Sequence, residues 1–129
     1  MVGGAQKMQL LNASNGLIFP VRWHEPFGLA VIESLYFGCP VFSTPYGALP
    51  ELVPEDCGLL SNRAEVLAEA VRAGGFDPQA CHQRALAHFS VERMAAGYLE
   101  KYEQVLAGEL LNSVAPAIQG EARQLAWLD

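Results

Sequence analysis

Residues 16–36 read GLIFPVRWHEPFGLAVIESLY, and the order of residue types within them decides the fold. Gly16–Pro20 is a short apolar run suited to a buried strand. Loop 21–27 follows, and it carries Arg22, Trp23, His24 and Glu25 ahead of a Pro-Phe-Gly step. The stretch from Gly28 to Gly38 then has helical length, with Glu33 and Ser34 as its polar insertions and Gly38 as its stop. Strand, loop and helix in that order are one unit of an α/β protein.

The same grammar repeats downstream. PVFS at 40–43 is a second short strand, TPYGA at 44–48 a turn, LPELV a stub of helix, and CGLL at 57–60 a third strand. Upstream, residues 5–13 read as the end of a helix. Beyond the third strand the chain turns helical: Asn62 and Glu65 are spaced as a capping box for residues 63–73, and Gly74-Gly75 closes that helix. Asp77-Pro78 is a cap with proline at the first helical position, opening a helix to about Ala87. Ser90 caps the longer VERMAAGYLEKYEQVLAG, in which Met94, Tyr98, Tyr102 and Val105 recur at helical spacing and are expected in the core. EARQLAWLD, at 121–129, reads as a last helix.

Short apolar strands separated by helices predict an α/β fold with a parallel sheet. A doubly wound nucleotide domain has five or six strands in two halves; this chain supplies about three, so a partial Rossmann-like sheet is expected. Residues 1–108 are assigned to that domain and 109–129 to a C-terminal tail or helix. In the usual strand order, strand 16–20 has an unpaired edge, which calls for a partner chain or a second copy to cover it.

Composition narrows the function. The 129 residues are 51% hydrophobic and 17% charged, as in an ordered globular protein. A net charge of −6, with eight Lys plus Arg scattered along the chain, disfavours nucleic acid as a partner. No apolar run is long enough for a transmembrane segment and the start lacks a signal-peptide core, so a cytoplasmic location is expected. The three cysteines, Cys39, Cys57 and Cys81, contain no CxxC and are read as reduced thiols, Cys39 as a small buried one. His82 and His88 lie off the i, i+4 spacing a metal would want and are read as surface residues.

Ligands of open α/β sheets sit beyond the carboxyl ends of the strands, which is where loop 21–27 falls. The helix after it begins with N–H groups that have no intrahelical partner, and Gly28 has no Cβ to keep a ligand away. An anionic diphosphate suits such a helix start. Glu25 just before the helix and Glu33 on its second turn could each take a vicinal diol, one on a hexose and one on a ribose. The same acids could instead complement the helix dipole, worth about 0.3–1 kcal/mol each with no ligand at all. Residue chemistry by itself leaves the two readings level.

A resemblance separates them. FPVRWHEPFGLAVIES, followed by FGCPVFST and PYGALPELV, resembles the C-terminal nucleotide-sugar domain of the family 4 retaining glycosyltransferases of GT-B fold, and FSVERMAAGYLEKYEQVL is similar to that family's C-terminal helix. The resemblance covers about residues 5–105. It implies that Glu25 binds donor-sugar hydroxyls and shapes the transition state, that Glu33 binds ribose, and that the Phe27, Gly28 and Leu29 amides contact sugar and diphosphate. The donor would be a UDP-, GDP- or ADP-sugar, with no cofactor and no metal. Arg22, His24, Tyr46 and Gly47 are secondary candidates for phosphate, sugar and base. Trp23 either lines the pocket or anchors the loop.

The chain departs from the family pattern in three ways. Val21 stands for the family's serine and Ala48 for the second glycine of its Gly-Gly turn. Lys7 falls too late to belong to the family's basic diphosphate pair. The family's acceptor-binding N-terminal domain has no counterpart in these 129 residues and is expected to be missing. The expectation is therefore the C-terminal part of such an enzyme (a fragment, a split gene product or a remnant), inactive without its missing domain, or else a nucleotide-sugar-binding subunit completed by a partner.

Overall fold

The computed structural model describes residues 3–115, 117 and 125–129. Its elements are α1 (Gly4–Asn12), β1 (Leu17–Phe19), α2 (Leu29–Tyr36), β2 (Val41–Ser43), α3 (Leu49–Leu52), β3 (Gly58–Leu60), α4 (Ala64–Ala73), α5 (Pro78–Phe89) and α6 (Val91–Leu106). The three strands form one parallel sheet in the order β1-β2-β3. This is the α/β, Rossmann-like half-sheet that the sequence predicts. β1 is an end strand, its outer edge unpaired among the described residues.

β2 lies between β1 and β3 with α2 and α4 packed against it, and it is buried along its whole length. Its end also fixes the site loop. Thr44, fully buried, donates its hydroxyl to the Val21 carbonyl at 2.7 Å and accepts the Val21 N–H at 3.1 Å. Ser43 donates to the Phe19 carbonyl. These bonds satisfy backbone groups where β1 turns into its loop, which would otherwise be left unpaired in the interior.

The core joins α2 to the sheet and to α5. Val31 and Leu35 on α2 pack with Val21, Val41, Leu49, Leu52, Cys57, Cys81 and Ala85. Ser34, also buried on α2, donates to the Cys39 carbonyl at 3.1 Å and so closes the corner into β2. Cys39, Cys57 and Cys81 are free, buried thiols, all with pKa raised because burial penalises the thiolate, Cys57 to about 12.

Two caps fall where the sequence places them: Asp77 accepts from Gln79 N–H at 2.9 Å and Ser90 from Arg93 N–H at 3.2 Å. Three expectations need correction. The Asn62–Glu65 capping box does not form; Arg63 is the N-cap of α4, without a side-chain cap, and Asn62 Oδ1 is buried without a partner. The Ala64 N–H is met instead by the Asp129 carbonyl at 2.9 Å, a partner that local spacing cannot reveal. Second, Met94, Tyr98, Tyr102 and Val105 are all more than half exposed, and α6 has no buried residue. Periodicity shows that a helix has an apolar face, but it does not show that another element covers it. Third, of the last expected helix, 121–124 lie outside the described residues and 125–129 are non-helical. No helix among the described residues is long and apolar enough to cross a membrane.

Candidate functional site

The site is built at the carboxyl end of β1, where the chain must pass from strand to helix. Gly28 is the N-cap of α2 with φ +80°, a left-handed conformation that a side chain would strain. A Cβ there would also lie 2.7 Å from Leu52 Cδ1. The loop therefore sits directly on α3. Gly47 makes the second close approach: its φ is +66°, and a Cβ would fall 2.3 Å from both the N and the O of Glu25. The two backbones run side by side there, paired by a parallel bridge between Glu25 and Gly47 and by an Ala48 N–H to Glu25 carbonyl bond of 2.8 Å.

Held from behind in this way, Glu25 turns its carboxylate forward onto the helix. Oε2 accepts from Trp23 Nε1 at 3.0 Å and Oε1 from the Gly28 N–H at 3.0 Å. The Trp23 N–H is the main reason its pKa lies below the usual carboxylate value; slight burial opposes that shift, and the Gly28 and Phe27 amides add to it. Glu25 is thus an ionised, oriented group. It also takes the Gly28 amide that the sequence reading offers to a ligand. Among the described residues the Leu29 and Ala30 N–H groups, in the first turn of α2, carry no hydrogen bond.

Glu33 stands one turn further along α2, about two-fifths exposed, with Lys7 Nζ of α1 at 2.5 Å from its Oε1. Phe27 and Leu29 are exposed on the same rim. Glu25, Phe27, Gly28, Leu29 and Glu33 are thereby brought along one strand-to-helix corner. The secondary candidates form a separate group. His24 meets Tyr46 edge-on at 6.3 Å, the Tyr46 hydroxyl donates to the Ala126 carbonyl at 2.9 Å, and Arg22 lies 5.3 Å from the centre of the Trp127 ring. Arg22 and Tyr46 are therefore engaged with residues 126 and 127, and Gly47 acts through its backbone contact with Glu25.

A match with a known family covers this corner. Residues 2–83 match the family model described as glycosyl transferases group 1. The chain belongs to that family. The group 1 match includes the loop, α2 and both neighbouring strands, together with α1 and its Lys7.

Relatives of this group 1 chain include the GDP-mannose-dependent alpha-(1-6)-phosphatidylinositol dimannoside mannosyltransferases of two Mycobacterium tuberculosis strains, H37Ra and CDC 1551, each 38% identical over 81 residues. That alignment covers 59% of this chain and 21% of each relative, so the chain spans about a fifth of their length. Among solved structures, Anabaena HepE in complex with UDP superposes with a TM-score of 0.62 at 20% identity, covering 78% of this chain and 30% of that one. The likeness supports a Rossmann-like glycosyltransferase fold of the GT-B kind.

Sequence reasoning missed two participants. Lys7 does not align with a diphosphate-binding lysine, and nothing local to α1 signals a carboxylate 26 residues away. For Trp23 the sequence leaves lining the pocket and anchoring the loop both open; its indole N–H holds Glu25, two residues on. An indole N–H that close to a carboxylate in a short loop was the available signal.

Proposed function

We propose that this chain is the donor half of a retaining, family 4 glycosyltransferase, binding a nucleoside-diphosphate sugar along the corner between β1 and α2. The observation that carries the proposal is Glu25: an ionised carboxylate fixed by Trp23 and Gly28 at the carboxyl end of a parallel strand, beside a helix N-terminus with open amides. In this reading Glu25 contacts the sugar hydroxyls and offsets positive charge as the bond between the anomeric carbon and the phosphate oxygen breaks. The Leu29 and Ala30 amides, with the dipole of α2, receive the departing diphosphate. Glu33 takes the ribose diol. UDP-, GDP- and ADP-sugars are all candidates; the mycobacterial relatives favour testing GDP-mannose first.

The domain would comprise residues 1–108, with 109–129 as its tail. The three buried free thiols fit a reducing compartment such as the cytoplasm. Transfer is proposed for the whole enzyme, of which these residues would form the donor side. A second reading, a binding subunit completed by a partner chain, is favoured by the edge of β1, which is unpaired among the described residues.

Calorimetric titration with GDP-mannose, UDP-glucose and ADP-glucose tests the proposal. Saturable binding weakened about tenfold or more in Glu25→Ala and in Glu33→Ala is expected from the loss of charge-assisted hydrogen bonds. Binding that both variants retain in full would refute the site. Sugar transfer that appears only when an N-terminal partner is added separates the enzyme from the binding subunit.

A further inference from the structure

Lys7 is one of two lysines in the chain, and it projects from a helix with no buried residue. Its ammonium nevertheless lies 2.5 Å from Glu33 Oε1, across 26 residues of sequence. Both side chains are more than two-fifths exposed. Exposed ion pairs of this kind contribute little to stability, so the pair does little to explain how α1 is held. Leu11 of α1 already has its own tie, its carbonyl accepting from Cys39 Sγ at 3.6 Å.

The pair matters more for what it does to Glu33. A free glutamate on a helix surface samples many rotamers, and fixing such a long side chain costs conformational entropy. With Lys7 on Oε1, that ordering precedes ligand binding, and Oε2 is left as an acceptor. The ammonium has three N–H donors and uses one on Glu33. A diol arriving at Oε2 would find a second donor beside it, so one hydroxyl donates to the carboxylate while the other accepts from the lysine. A lone hydroxyl would satisfy only half of that arrangement.

We infer that Lys7 is a donor-positioning residue, holding Glu33 in the orientation that distinguishes a ribose 2′,3′-diol from a deoxyribose. This rests on the reading of Glu33 as the ribose acid, and the test separates the two claims. Affinities for GDP and UDP, each against its 2′-deoxy form, are measured on the wild type, Glu33→Gln, Lys7→Met, Lys7→Arg and the Lys7→Met/Glu33→Gln double variant. The expectation is a ribo-over-deoxy preference of about tenfold in the wild type. Glu33→Gln and Lys7→Met should each bring that ratio close to one, the double variant should lose nothing further, and Lys7→Arg should keep most of it.

A ratio that survives Lys7→Met but falls in Glu33→Gln would overturn the role of Lys7 and leave the ribose reading standing. A ratio that survives Glu33→Gln would overturn both. So would a wild type that binds neither diphosphate. If Lys7→Met also lowers the melting temperature, Lys7→Arg decides: a folded variant that has lost the preference contradicts the positioning role.

Discussion

Replacing Gly47 by alanine tests how the site loop is held. The new Cβ would lie 2.3 Å from Glu25 N, 2.3 Å from Glu25 O and 2.7 Å from the His24 carbonyl carbon. All three are backbone atoms, so no side chain can rotate away, and the loop must lift from the turn by about 1 Å to restore ordinary contact. That movement stretches the Ala48 N–H to Glu25 carbonyl bond, now 2.8 Å. A left-handed residue costs about 1–2 kcal/mol and the lost hydrogen bond about another 1, giving roughly 2–3 kcal/mol in all. Gly108, just past the end of α6, is the internal control. Its φ is +82° but a Cβ there meets nothing within 4 Å, so Gly108→Ala carries a conformational cost without a clash. Denaturant unfolding of both variants should find Gly47→Ala less stable than Gly108→Ala by about 1 kcal/mol or more. Equal destabilisation would refute the close packing of the loop against the turn. Because Glu25 rides on the same backbone, Gly47→Ala should also weaken nucleotide-sugar binding while Gly108→Ala leaves it unchanged.

Three further outcomes follow from the same geometry. Trp23→Phe removes the main group that lowers the Glu25 pKa, so an NMR titration should find that pKa moved up toward the ordinary 4.5; an unchanged value would contradict the bond. Because folding lowers that pKa, the contribution of Glu25 to stability is complete above the unfolded value and disappears as pH falls through the folded one. Unfolding curves of wild type and Glu25→Gln should therefore converge in acid below 4.5 and separate at neutral pH. Met94→Ser with Tyr98→Ser on the exposed face of α6 should change stability by less than about 1 kcal/mol, whereas Leu35→Ala, fully buried on α2, should cost about 2–5 kcal/mol.

Much of this architecture was legible because it is written in local chemistry. The apolar run before Pro20, the glycine that opens α2, and the caps at Asp77 and Ser90 each act within a few residues, and each appears where its pattern falls. What depends on distant partners was not legible. Asn62 and Glu65 have capping-box spacing, yet the Asp129 carbonyl reaches the Ala64 amide, and Asn62 Oδ1 is left buried and unpaired. The stripe on α6 has the period of a core face and lies open because no described element covers it. In the site, the spacing of Glu25 and Glu33 left a ligand and a dipole reading level, and it was the resemblance that pointed to the corner. The Lys7 contact, the Trp23 bond and the reason Gly47 must be glycine came only from the folded chain.

Amide chemical-shift mapping of the 15N-labelled chain with GDP-mannose and with UDP-glucose tests the central claim most directly. The account predicts that at least one ligand gives saturable shifts largest at Leu29 and Ala30, with Gly28 and Glu33 next, and that Glu25→Ala diminishes them. Shifts concentrated away from the corner between β1 and α2, or none with either ligand, would contradict it.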